Sequence, residues 1–244
     1  MFKAIEKTNR IYFSTLNLTV YFSVFILFSL ILLPLFSSYV NGGAAFLRFT
    51  SLYRDITLVT ALVFVLVGLI SLLSLSFFIS AIISVVKLRE TLDHVKFTKA
   101  VSTFTRYVVK VFMFFVLMSA LSIAVGVLLS IVGAPVAITQ LALFVVWIPF
   151  VFTPQVLIIE DLDIADAMRD ALKFVKKAPQ ALVLYFLLGF VFTLALVVIE
   201  TYLGQYFIWE HKIASIVLLS LFVVPYLQMF ATELYIRRYA VSTI

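Results

Sequence analysis

The sequence predicts an all-α, polytopic integral membrane protein, and three observations carry that reading. Charged residues make up only 12% of the 244 positions while 64% are hydrophobic, and a soluble domain carries about twice that charged fraction. Five charge-free intervals follow Arg10, Asp55, Lys110, Lys177 and Lys212, and they hold 37, 31, 49, 22 and 20 residues. Basic residues also sort to alternate loops. A helix crosses roughly 30 Å of hydrocarbon with about 20 apolar residues, so each interval can span, and the longest can span twice.

The elements follow in order. The first span is expected over 17–38; its apolar run is too long for the hydrophobic part of a cleavable signal peptide, so it is read as retained. An outer loop over 41–55, with Asn41-Gly42-Gly43 for the turn, leads to a second span at 56–86. At 1.5 Å per residue that span measures about 46 Å and must tilt, kink or protrude. Spans three and four, 108–132 and 138–159, are separated at Gly133-Ala134-Pro135, where glycine permits a turn and proline stops a helix. Spans five and six are expected at 180–202 and 213–236. The whole chain, 1–244, reads as one membrane domain.

Of the 18 basic residues, 15 flank the first span, the 87–110 and 169–177 segments, and the end of the sixth span. Basic loops stay in the cytoplasm, which predicts a multi-pass protein of the cell membrane with both termini inside. The net charge of +6 is then a cytoplasmic belt able to draw anionic headgroups at about 1 kcal/mol per residue. No nucleic-acid motif accompanies it, and topology accounts for it.

The cytoplasmic segments carry helical stripes of their own. In 164–177, Ile164, Ala167, Met168, Ala171, Leu172 and Val175 share one face, with acids early and lysines late, as the helix dipole favours. Asp163 is placed to cap it and Pro179 to end it. A similar stripe (Phe97, Ala100, Val101, Phe104) predicts an interfacial helix at 95–107, and a weaker one predicts another at 2–15. Sliding by 67 residues superposes Arg106 on Lys173 and Lys110 on Lys177, so an interfacial helix followed by a transmembrane hairpin is expected three times. Lys99, Arg106, Lys110, Lys173, Lys176 and Lys177 are the candidate contacts to anionic lipid headgroups.

Chemistry is sparse. Cysteine is absent, so thiol catalysis and thiolate metal sites are excluded. His94 and His211 fall on opposite sides of the predicted membrane and cannot share a metal. The acids Glu160, Asp161, Asp163, Asp166 and Asp170 lack calcium-loop spacing and suit a helix start. No span carries a charge near its middle, which argues against proton- or sodium-coupled transport. The candidate ligand-binding or packing residues are therefore polar or small: Gln228 after Pro225, Gln155, and Ser76, Ser80 and Ser84. The three serines form a stripe that lets another helix approach closely. No catalytic residue, cofactor or metal ligand is assigned.

The run Pro154-Gln155-Val156-Leu157-Ile158-Ile159-Glu160-Asp161, then Ile164-Ala165-Asp166-Ala167-Met168 and Leu172-Lys173-Phe174-Val175-Lys176-Lys177, resembles the membrane domain fused to some glycerophosphoryl diester phosphodiesterases and its stand-alone prokaryotic relatives. There the hydrolase activity belongs to a separate soluble domain, so the resemblance implies a membrane module and transfers no catalytic residue. The expected function is a non-enzymatic module: an accessory subunit, scaffold or lipid-interacting protein, with a protein partner or second copy admitted. The alternative is a small permease or channel for an uncharged or amphiphilic solute, and a lipid enzyme would have only Glu160, Asp161 and His94 to recruit.

Overall fold

The computed structural model describes residues 2–36, 58–92, 95–206 and 210–242, and every regular element among them is helical. The expected outer loop over 41–55 and His94 lie outside the described residues. Five runs are long and apolar enough to cross a membrane: Val65–Thr91, Phe97–Ile131, Val136–Ile159, Pro179–Gly204 and Ala214–Arg237. Counted as one span, the bent pair Lys3–Ser14 and Leu16–Ser29 brings the number among the described residues to six. The chain is an all-α polytopic membrane protein.

Helix α1 (Phe2–Ser14) meets α2 (Leu16–Phe36) at 87°. Ala4, Thr8, Ile11, Tyr12 and Thr15 line the buried side at helical spacing, and Lys3, Glu6 and Arg10 are exposed. Thr15, Thr19 and Ser23 return their hydroxyls to carbonyls one turn back, at 2.8, 3.0 and 2.8 Å. Those hydroxyls thereby find partners without water. Helix α3 (Leu58–Thr91) has 34 residues, about 51 Å, and residues 78–86 are all buried. Ser29 and Ser71 join α2 to α3 hydroxyl to hydroxyl at 2.8 Å.

Helix α4 (Phe97–Ile131) corrects one expectation. The interfacial helix at 95–107 and the third span at 108–132 form a single 35-residue helix. No proline interrupts this stretch, and its buried stripe runs unbroken from Ala100 through Phe104, Val111 and Met118 to Ser122. The second copy of the expected repeat thus lacks the hinge that the first and third possess. A turn through Gly133, at φ 73, leads to α5 (Val136–Trp147).

The fourth span is likewise not one helix. After α5 come a short 3-10 turn, Ile148–Phe150, and then α6 (Thr153–Ile159). Pro149 and Pro154 each lack an amide donor, so the ladder cannot pass through them. Beyond Asp161, whose φ of 55 a short polar side chain tolerates, lies α7 (Ile164–Lys177), with the expected bounds. Pro179 opens α8 (Pro179–Gly204), and α9 (Glu210–Leu218) passes through a π-helical turn, Leu219–Val223, into α10 (Val224–Ser242).

Burial is uneven along the bundle. Residues 78–86 of α3, 152–158 around α6 and 229–235 of α10 are buried without exception. This core lies at the end where the basic segments gather, joined by contacts among α1, α3, α6 and α10. Toward the opposite end the helices splay: α5 buries no residue and α8 buries only Ala181. Exposed Leu121, Ile131, Leu141, Val191 and Val198 meet hydrocarbon there, as a membrane-spanning surface must.

Candidate functional site

The buried core at the basic end holds the polar groups that the apolar sequence could least easily hide. Helix α6 is seven residues long, and six of them, Thr153 to Ile158, are buried. Its last carbonyls have no further turn to pair with. Lys87 of α3 answers this by donating to the Ile158 carbonyl at 2.5 Å while its ammonium sits 5.3 Å from the Tyr107 ring centroid. A cation at a helix C-terminus also opposes the negative end of the dipole. Ser76 and Ser80 lie eleven and seven residues before Lys87, hence on the same side of α3, where small side chains permit close approach.

The structure brings together two residues singled out in the sequence. Gln155 Nε2 of α6 donates to Gln228 Oε1 of α10 at 3.1 Å. Each amide is therefore partly spent on the other, and the pair clasps two helices. Ser76 bonds back to the Leu72 carbonyl at 2.7 Å. The hydroxyls of Ser80, Ser84 and Thr153 and Oε1 of Gln155 are buried without a partner among the described residues. Pro225 has a packing role. It cannot donate to the Leu221 carbonyl one turn back, and a π turn at that point accommodates the lost bond. The freed Leu221 carbonyl accepts the hydroxyl of Tyr12 at 2.8 Å.

That tyrosine belongs to a seam holding α1 on α10. Tyr226 donates to Asn9 at 2.6 Å, and Arg237 donates to the Lys3 carbonyl at 2.5 Å. At its centre, Lys7 pairs with Glu90 of α3 and stands 3.3 Å from Glu233. The Glu233 side chain is 0% exposed, and Arg237 lies 3.6 Å away on the same helix. Glu233 and Arg237 pair one turn apart on α10, but Lys7, 226 positions away in sequence, is the nearer cation.

The acidic run after α6 serves a second clamp. Asp161 pairs with Arg106 and lies 3.8 Å from Lys110, which also reaches Asp163 at 3.2 Å and the Leu162 carbonyl at 3.2 Å. Asp163 occupies the N-cap position of α7, yet its side chain makes no capping bond; it turns to Lys110 instead. Lys173 pairs with Asp170 at 2.7 Å. Three of the six candidate headgroup cations, Arg106, Lys110 and Lys173, are thus engaged within the protein. Lys99, Lys176 and Lys177 are exposed and make no ion pair among the described residues. Glu160 accepts the Tyr235 hydroxyl, and burial, with the charge of Asp170 second, pushes its carboxyl above the ordinary range.

An open groove of about 480 Å³ lies between α5, α8 and the π turn of α10. Leu227 and Val224 line it, whereas their neighbours Gln228 and Pro225 do not. Nothing in the sequence marks it, because its walls are ordinary apolar span residues. Among the described residues no group of three His, Cys, Asp or Glu side chains is placed to hold a metal. His211 falls in the first turn of α9, far from the basic segments in the order of the spans.

The fold and these clamps define the class: a polytopic membrane protein whose polar groups converge at one end of the bundle. Compared with known proteins, the chain matches no family model, no curated protein and no solved structure.

Two outcomes follow from this geometry. Lys7→Ala leaves Glu233 buried beside Glu90 with one cation fewer, and is expected to cost about 3–5 kcal/mol in detergent unfolding. Adding Glu233→Gln should recover more than half of that loss; a double variant as unstable as Lys7→Ala alone would refute the seam. For Glu160 the raised pKa favours the protonated form in the fold. Its contribution is intact at low pH and is lost as pH rises from the ordinary carboxylate range through the raised value. Glu160→Gln should flatten that decline in a pH series of melting temperatures, and an unchanged slope would contradict it.

Proposed function

We propose that this integral membrane protein is a non-enzymatic module of the cell membrane, with both termini cytoplasmic and a cationic face of interfacial helices turned to anionic headgroups. The observation that carries the reading is the split between engaged and unengaged charge at the basic end. Glu90, Glu160, Asp161, Asp163, Asp170 and Glu233 are each tied to a cation or a tyrosine hydroxyl. Between α1, α3 and α10, and between α4 and the segment after α6, such pairing holds helices together. Lys99, Lys176 and Lys177 are exposed instead, and α1 turns 87° from its span as an interfacial helix does. The asymmetry of basic residues supports the orientation.

The likeness of the 154–177 stretch to the membrane domains of glycerophosphoryl diester phosphodiesterases favours the same reading, an accessory or scaffolding unit with lipid or a protein as its partner. A small permease for an uncharged or amphiphilic solute is the second reading. The break of the fourth span at Pro149 and Pro154 favours it, since broken helices surround transporter sites. The Gln155–Gln228 clasp weighs against it by occupying the deepest polar groups.

Retention of anionic lipid tests the first reading. Purified protein in nanodiscs of mixed phosphatidylcholine and phosphatidylglycerol is expected to enrich the anionic lipid in its boundary layer. Replacing Lys99, Lys176 and Lys177 by Gln should reduce that enrichment by roughly 100-fold at most, at about 1 kcal/mol per cation. Identical lipid retention by wild type and triple variant would overturn it.

A further inference from the structure

The module reading leaves unused a pair of carboxylates at the centre of the α1–α10 seam. Lys7 of α1 pairs with Glu90 of α3 and stands 3.3 Å from Glu233 of α10, so the two acids meet on a single ammonium. They are also within hydrogen-bonding reach of each other. An ionised carboxylate only accepts hydrogen bonds, and two of them side by side cannot satisfy one another. Glu233 is the harder to satisfy. Its side chain is 0% exposed, and neither Oε1 nor Oε2 has a hydrogen-bond partner among the described residues. Lys7 at 3.3 Å and Arg237 at 3.6 Å supply charge without a bond directed at either oxygen.

Among the described side chains no further charge reaches this acid pair. On α3, Lys87 is turned to the Ile158 carbonyl and Arg89 to that of Leu92. On α1, Lys3, Glu6 and Arg10 lie on the exposed face, and Lys3 offers Arg237 only its carbonyl. Helix α6 carries no charged residue, Glu160 beyond it accepts from Tyr235, and α8 has none before Glu200 near its far end. The hydroxyls of Tyr12 and Tyr226 already donate to Leu221 and Asn9. Water, by contrast, is close. The Lys7 and Glu90 side chains are 34% and 30% exposed, so a proton can pass from solvent through Glu90 to the covered Glu233.

We propose that Glu90 and Glu233 hold a single proton between them while α1 is docked, and that losing it as pH rises releases α1 from α10. The protonated carboxyl donates to its neighbour, which gives Glu233 the partner it lacks, and Lys7 balances the one remaining negative charge. The sign follows from comparing the docked and undocked helix. With α1 swung away at its bend after Ser14, water solvates both carboxylates and the proton leaves; the departure of Lys7 pulls the other way. Desolvating a carboxylate costs several times what a partly exposed ammonium returns, so docking takes up the proton. By linkage, docking is complete at low pH and weakens as pH rises. This goes beyond the module reading and makes the interfacial helix α1 responsive to pH on the basic side.

The test follows the full chain in nanodiscs by infrared spectroscopy and amide exchange over about pH 5 to 8. The infrared titration should show the carbonyl band of a protonated carboxylic acid, fading as pH rises. That band should survive in Glu160→Gln, which removes the other covered acid, and be lost in Glu233→Gln. Corrected for the intrinsic rate, exchange over α1 should speed by up to about tenfold per pH unit, the slope of one linked proton. In Glu233→Gln, whose amide stands in for the protonated carboxyl, exchange over α1 should stay slow and flat. Glu90→Gln, whose amide can donate to Glu233, replaces it if Glu233→Gln lowers the melting temperature. Absence of the band, or the same exchange slope in wild type and in the glutamine variant, would overturn the proposal. Exchange over α1 that slows as pH rises would also overturn it, by showing that the Lys7 pairing outweighs burial. Retention of anionic lipid is read separately, so the module reading can stand when this proposal fails.

Discussion

Hydrocarbon offers no hydrogen bonds, so a backbone group that a helix break frees below the headgroups is costly unless protein supplies its partner. That constraint organises the basic end. The seventh and last turn-forming residue of α6, Ile159, would leave exposed carbonyls behind it in a continuous apolar bundle. Instead Lys87 caps the Ile158 carbonyl, Lys110 caps that of Leu162, and Gln155 and Gln228 bond to each other. Tyr12 takes the carbonyl that Pro225 orphans. At the end of α6 and at Pro225, side-chain donors from other helices are placed against the freed carbonyls.

The same constraint explains why packing is dense at one end and loose at the other. Buried polar pairs require several helices to converge, so α1, α3, α6 and α10 close upon one another where the charges are. Where the side chains are wholly apolar, lipid tails solvate them as well as protein does, and α5 and α8 have no reason to bury their faces. The groove between them is a product of this indifference, and the π turn before Pro225 sets one of its walls.

Much of the architecture was legible in the sequence because the membrane simplifies the problem. The charge-free intervals locate the spans, Gly133 and Pro179 locate turns, and the stripe from Ile164 to Val175 gives α7 its bounds. The errors arise where a local pattern is ambiguous. The stripe at 97–108 looks like that of α7, yet no proline follows it, so the helix runs on into the span. The charge-free run over 138–159 reads as one span, and sequence alone does not show that Pro149 and Pro154, five residues apart, would set off a short buried helix. Site residues were legible as types and not as pairs. Gln155, Gln228, Glu233 and the serines stand out as rare polar groups, whereas Lys7 and Lys87 look like ordinary basic flanks until the fold sets them beside their acceptors.

Amide hydrogen exchange over residues 153–162, compared between wild type and Lys87→Met in nanodiscs, addresses this dependence most directly. Removing a charged donor from a buried carbonyl costs about 1–3 kcal/mol, which opens α6 locally and should speed its exchange by roughly tenfold or more while α8 is unchanged. Equal protection of α6 in both proteins would mean that its end is satisfied by some other route, and that Lys87 does not hold the broken span in place.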